Sequence, residues 1–207
     1  MRKILAAAFL ILFNISFLSA QLDKESLYMN IVERFRNAES ISLDFALREN
    51  PEFTGHFKAV RGNKYIMEIG ARQLISNGET IWNYDKAEKT VVVSDLLPDE
   101  SDFSIEKFFF EILESYKPVK LTKESSSAGN SLLKLEIVPR NNSGRIADIN
   151  RIFIWLNSNS KEIRSIGIFT PEGSQVWEIR DVETNVGLEQ EDFTFDPPEN
   201  VEVIDLR

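Results

Sequence analysis

Gln73-Leu74-Ile75-Ser76-Asn77-Gly78-Glu79-Thr80-Ile81-Trp82-Asn83-Tyr84 is the stretch that decides the fold. Two short apolar runs meet at Asn77-Gly78, a dipeptide suited to a two-residue hairpin because both turn positions take φ > 0. That turn pairs Leu74 with Ile81 and Ile75 with Thr80, so Leu74 and Ile81 share one face. Ile75, Trp82 and Tyr84 share the other. Both faces of the hairpin are apolar, and both require a cover. One cover is expected to be protein; the other is open to a ligand.

Outward from the hairpin, the pattern is that of strands. Ile41, Leu43, Phe45 and Leu47 alternate with Ser42, Asp44 and Ala46, which is the period of a half-buried strand. Phe57 and Ala59 continue it, Tyr65, Met67 and Ile69 begin another strand, and Thr90 to Val93 follow the hairpin. Further strands are expected from Leu132 to Val138, Ile149 to Leu156, Ile163 to Phe169 and Gln175 to Val182. Two helices interrupt this series. The first carries Leu27, Ile31 and Phe35 on one stripe, flanked by Tyr28 and Val32. The second, capped by Ser101 or Asp102, carries Ile105, Phe108, Phe109, Ile112 and Leu113 and stops at Pro118.

About ten short strands joined by tight turns imply one large antiparallel sheet, and sheets of that size curl or close. With two helices, the expected fold is mainly β (α+β): an unclosed half-barrel with a helical lid over its concave side. Phe57, Tyr65, Met67, Leu74 and Ile81 are expected to face the inside of the curl, met from above by Phe108, Phe109 and Ile112. Composition leaves open whether these side chains make a dry core or line a ligand cavity.

The N-terminus has a separate meaning. Arg2 and Lys3 precede an apolar run from Ile4 to Phe17, and Leu18-Ser19-Ala20 ends in a small residue. This is the layout of a cleavable secretory signal peptide over residues 1–20, leaving one domain over residues 21–207 in the periplasm. Gln21 follows the cut, and the chain has no cysteine, so acylation at that position, disulfides and thiolate chemistry are excluded. The mature chain keeps 22 Lys and Arg against 33 Asp and Glu, a net charge of −11 that disfavours nucleic acid and anionic membranes.

Catalytic groups are sparse. His56 is the single histidine, alternation sends it to the face opposite Phe57, and nucleotide-binding fingerprints are absent. Neither an enzyme nor a cofactor is expected.

Three stretches resemble the LolA family of periplasmic lipoprotein carriers. They are Ala59-Val60-Arg61-Gly62-Asn63-Lys64-Tyr65, the hairpin from Leu74 to Tyr84, and the tail from Phe193 through Pro197-Pro198 to Val203. The resemblance implies a monomeric shuttle that takes acylated lipoproteins from an inner-membrane ABC transporter and hands them to an outer-membrane acceptor. It implies that Arg61 ties the sheet to the lid through backbone carbonyls, that Tyr65 docks the transporter, and that Met67 faces the cavity. Where the family places proline after that arginine, this chain has Gly62, which loosens the turn. The competing expectation is an envelope-stress sensor built on the same half-barrel.

Overall fold

A computed structural model describes residues 23–96, 105–125, 131–141 and 148–207. The expected signal peptide, and the caps Ser101 and Asp102, lie outside these residues. The first helix, α1 (Lys24–Arg36), starts at Asp23, whose carboxylate accepts the Ser26 amide at 3.1 Å. It buries Leu27, Tyr28, Ile31, Val32 and Phe35, the stripe set by its periodicity.

The strands are β1 (Ser40–Leu47), β2 (Asn50–Val60), β3 (Lys64–Ile69), β4 (Arg72–Asn77), β5 (Thr80–Asp85) and β6 (Thr90–Asp95). After the second helical segment come β7 (Tyr116–Ser125), β8 (Ser131–Pro139), β9 (Arg151–Asn157), β10 (Ile163–Thr170), β11 (Gly173–Thr184) and β12 (Glu202–Asp205). They form one sheet in the order β12-β6-β5-β4-β3-β2-β1-β11-β10-β9-β8-β7. Its two ends, β12 and β7, do not pair with each other, so the barrel stays open.

Three features correct the sequence expectations. The pair β12–β6 is parallel, which makes the sheet mixed where an antiparallel one was expected. Pro118 lies in a strand, β7, which is an edge of the sheet, the position in a sheet where proline is tolerated. The hairpin register also differs. Ser76 pairs with Ile81 and Ile75 with Trp82, so the turn is Gly78-Glu79 and only Gly78 has positive φ (94°). Asn77 Oδ1 accepts the amides of Glu79 and Thr80 at 2.9 and 2.8 Å, an Asx turn in place of a second left-handed residue. A slip of two residues preserves the faces: Leu74 and Ile81 still share one, and Ile75, Trp82 and Tyr84 the other.

Each face has its own cover. On the concave side, Leu43, Phe45, Phe57, Leu135, Ile154 and Ile166 join α1 and the second helical segment in one buried core. On the convex side, Ile75, Val91 and Val93 are buried, and the chain's own tail lies over that half of the sheet. A 3₁₀ turn (Gln190–Phe193) packs on β3 and β4, Phe193 is 1% exposed, and the Phe195 ring sits 5.1 Å from Tyr84.

Candidate functional site

The lid consists of α1 and a second helical segment: α2 (Ile105–Lys107), a π-helical stretch (Phe108–Ile112) and α3 (Leu113–Ser115). The wider π turn brings three consecutive phenylalanines inward, with Phe108, Phe109 and Phe110 each at most 4% exposed. Phe109 packs against Phe35 of α1 at 4.7 Å and edge-on against Phe108 at 5.0 Å.

Beneath this segment lies a cavity of about 60 Å³ lined by Phe45, Phe108, Phe109, Ile166, Ile168, Trp177 and Ile179. Its walls come from β1, β10 and β11 below and the π stretch above. The lining side chains are all apolar.

Of the eight cavity residues expected from sequence, Phe108 and Phe109 border this hollow. Phe57, Tyr65, Met67, Leu74 and Ile81 stand on the same face of the sheet by register, but on β2 to β5, to one side of it. Phe57 is fully buried and stacks with Tyr65 at 6.2 Å, Met67 packs against the core, and Leu74 and Ile81 are half-buried. The side chain of Ile112 lies outside the described residues. Sequence reasoning missed Phe45, Ile166, Ile168, Trp177 and Ile179 as lining; the register of β1, β10 and β11 puts them on the inner face.

Polar contacts fasten the lid at its margins. Arg61, at the end of β2, donates to the carbonyls of Phe35 (3.1 Å), Arg36 (2.6 Å) and Phe110 (3.4 Å), and its guanidinium lies 4.7 Å from the Phe110 ring. One side chain thus reaches both helices from the sheet. Tyr28 donates its hydroxyl to the Leu113 carbonyl, and Arg36 Nε pairs with Glu114 at 2.8 Å, joining helix to helix. Arg34 donates to the Val182 carbonyl at 3.1 Å.

His56 belongs to a different place, the convex face. Its Nδ1 lies 2.6 Å from Asp44 Oδ1 and its Nε2 3.3 Å from Ser42 Oγ. The contacts run in the order of a hydrolytic triad, but β1 is paired on both sides, so the ladder engages the backbone amides that acyl transfer would need for an oxyanion. Asp44 is directly opposite His56 in register, and the trio is a cross-strand hydrogen-bond ladder.

The family description "Outer membrane lipoprotein carrier protein LolA" fits residues 36–196. The chain belongs to the LolA family. No curated protein sequence matches it. Among solved structures, this LolA-family chain is similar to an uncharacterized conserved protein from Thermus thermophilus, with 9% identity and a TM-score of 0.51, covering 88% of this chain and 99% of the other. A LolA superfamily protein from Nitrosomonas europaea is 13% identical with a TM-score of 0.42, covering 83% and 97%. LprF from Mycobacterium bovis is 8% identical with a TM-score of 0.46, covering 80% and 95%. The fold is of the lipoprotein-binding carrier type.

Proposed function

We propose that this LolA-family protein ferries acylated lipoproteins across the periplasm, holding their acyl chains between the lid and the concave face. It would receive them from an inner-membrane ABC transporter that docks near Tyr65, and deliver them to an acceptor at the outer membrane. The observation that carries this reading is the apolar hollow between the π stretch and β1, β10 and β11, under helices held to the sheet by polar contacts.

The size of that hollow defines how the carrier works. A cavity of about 150 Å³ accommodates one benzene ring, so about 60 Å³ is too small for a long acyl chain. The closed form is therefore the unloaded one, and loading displaces the lid. Burying each methylene yields about 0.8 kcal/mol, so one long chain supplies on the order of 10 kcal/mol. Detaching the lid sacrifices a few hydrogen bonds worth roughly 1 kcal/mol each, together with part of the aromatic packing. The acyl chain then replaces the phenylalanines as the apolar partner of the sheet, and release reverses the exchange.

Trp177 borders the hollow and reports on it. Titration of the protein lacking residues 1–20 with a triacylated peptide should change tryptophan fluorescence saturably, whereas the unacylated peptide should not. Equal responses to both peptides would remove the acyl chain from the account.

A further inference from the structure

Arg61 reaches from the sheet to the lid; Glu106 of α2 reaches the other way. Its side chain is buried, with the residue 1% exposed, and its carboxyl faces the backbone amides of Asn63 and Gly62, which favour its charged form. These two residues follow Arg61 in the β2–β3 turn. The turn lies in the left-handed region, with φ of 91° at Gly62 and 59° at Asn63. A Cβ at residue 62 would meet nothing within 4 Å, so backbone conformation, not space, selects glycine there. Proline at this position would remove the amide that faces Glu106 and impose the wrong φ.

Among the described residues, Glu106 Oε2 is the buried side-chain oxygen without a hydrogen-bond partner. A carboxylate in that position leaves a charged acceptor unsatisfied, whereas a carboxylic acid there is neutral. We propose that Glu106 is a proton-binding positioning residue of the lid: it aims Arg61 by fixing the Gly62-Asn63 turn, and the closed lid takes up a proton on this carboxyl that the open lid releases. This regulation rests on the carrier reading, in which the helices move.

Burial and the neighbouring Glu111 push the Glu106 carboxyl up to about 7, against the downward pull of the two turn amides and of Lys107. Tyr65 of β3 faces it as well, and burial together with the Glu106 charge raises the Tyr65 hydroxyl. Arg61, from the same turn, is engaged with the carbonyls of Phe35, Arg36 and Phe110. The sign follows from linkage. The closed state has the raised value and binds the proton more tightly, so its advantage is full below about pH 4.5. It declines as pH rises through the interval to about 7 and is then constant. The lid is tighter in acid and looser at neutral pH.

Hydrogen exchange of residues 105–115, corrected for intrinsic rates, reads the opening equilibrium directly. From about pH 5.5 to about pH 8 the wild type should show at least roughly tenfold more opening. In Glu106→Gln, which keeps an acceptor but does not titrate, opening should be independent of pH. A wild type without this slope, or a Glu106→Gln variant that retains it, overturns the proposal. Should the variant fold poorly, a carbon-13 titration of the Glu106 carboxyl in the wild type decides: a midpoint near neutrality supports it, and one in the ordinary carboxylate range overturns it. A wild type that binds triacylated peptide but lacks the slope overturns the latch alone. A slope without acyl binding overturns the carrier reading alone.

Discussion

Arg61 Nη2 lies 2.6 Å from the Arg36 carbonyl oxygen, so a residue of the β2–β3 turn caps the C-terminal turn of α1. Helix ends leave carbonyls without intrahelical partners and carry partial negative charge, so a guanidinium there gains from both hydrogen bonding and the dipole. The same guanidinium reaches Phe110 in the π stretch, so a single side chain couples the two halves of the lid.

Arg61→Leu removes all three donations at once. Because the side chain is substantially exposed, the expected loss of global stability is modest, about 1–2 kcal/mol. The larger expected effect is local: faster hydrogen exchange throughout residues 24–36 and 105–115, and disturbed transfer of bound lipoprotein. Exchange and transfer kinetics equal to wild type would deny Arg61 its role in the lid.

Ile179→Phe should separate hollow from fold. Ile179 borders the cavity and is 5% exposed, and about 60 Å³ is enough to receive the extra carbons of a phenyl ring. The stability change should stay within about 1.5 kcal/mol, as for substitutions that fill space already present. Affinity for a triacylated peptide should fall, because the acyl chain now competes with a tethered ring. Unchanged affinity in a folded variant would place the acyl site elsewhere on the concave face.

How far the sequence discloses this molecule depends on whether a feature is local. Ile41, Leu43 and Phe45 alternate strictly and α1 repeats its apolar residues every turn, so their faces are legible from spacing. Leu74 and Ile81 kept a common face although the turn moved from Asn77-Gly78 to Gly78-Glu79, because an even slip leaves the pleat unchanged. The position of the hollow was not legible. Alternation tells which side of the sheet a residue faces, but not which strands lie under Phe108 and Phe109, and that is set by tertiary packing of the π stretch. Strand β7 was concealed by Pro118 and by Lys117, Lys120 and Lys123, which suit an unpaired edge. Phe193 and Phe195 stood out as a motif, yet their task of covering Tyr84 and its neighbours joins segments about a hundred residues apart.

That cover leads to a prediction on the far side of the sheet. Phe193 is fully buried in the 3₁₀ turn on β3 and β4, where Lys64 Nζ donates to Gln190 Oε1 at 3.1 Å. Phe193→Ala should cost about 3–5 kcal/mol, the range for removing a buried aromatic ring. The tail should become the first site cut in limited proteolysis, while exchange in residues 24–36 keeps its wild-type rank. Retained thermal stability and an uncut tail would show that β12 alone holds this segment.

Tyr28 and Leu113 provide the last test, of whether the lid moves as one body. The Tyr28 hydroxyl donates to the Leu113 carbonyl inside the core, and burial pushes its ionisation above the ordinary tyrosine range. The link therefore stays protonated and intact at any pH near neutral, unlike the contact made by Glu106. Tyr28→Phe keeps the ring and deletes the donor, leaving a buried carbonyl short of a partner at a cost of about 1–3 kcal/mol. If this bond couples the helices, the variant should raise exchange in residues 105–115 more than in residues 24–36, because Arg61 still holds the end of α1 at two carbonyls and the π stretch at one. Equal acceleration in both segments would mean that aromatic packing of Phe35 on Phe109 is sufficient to move the helices together.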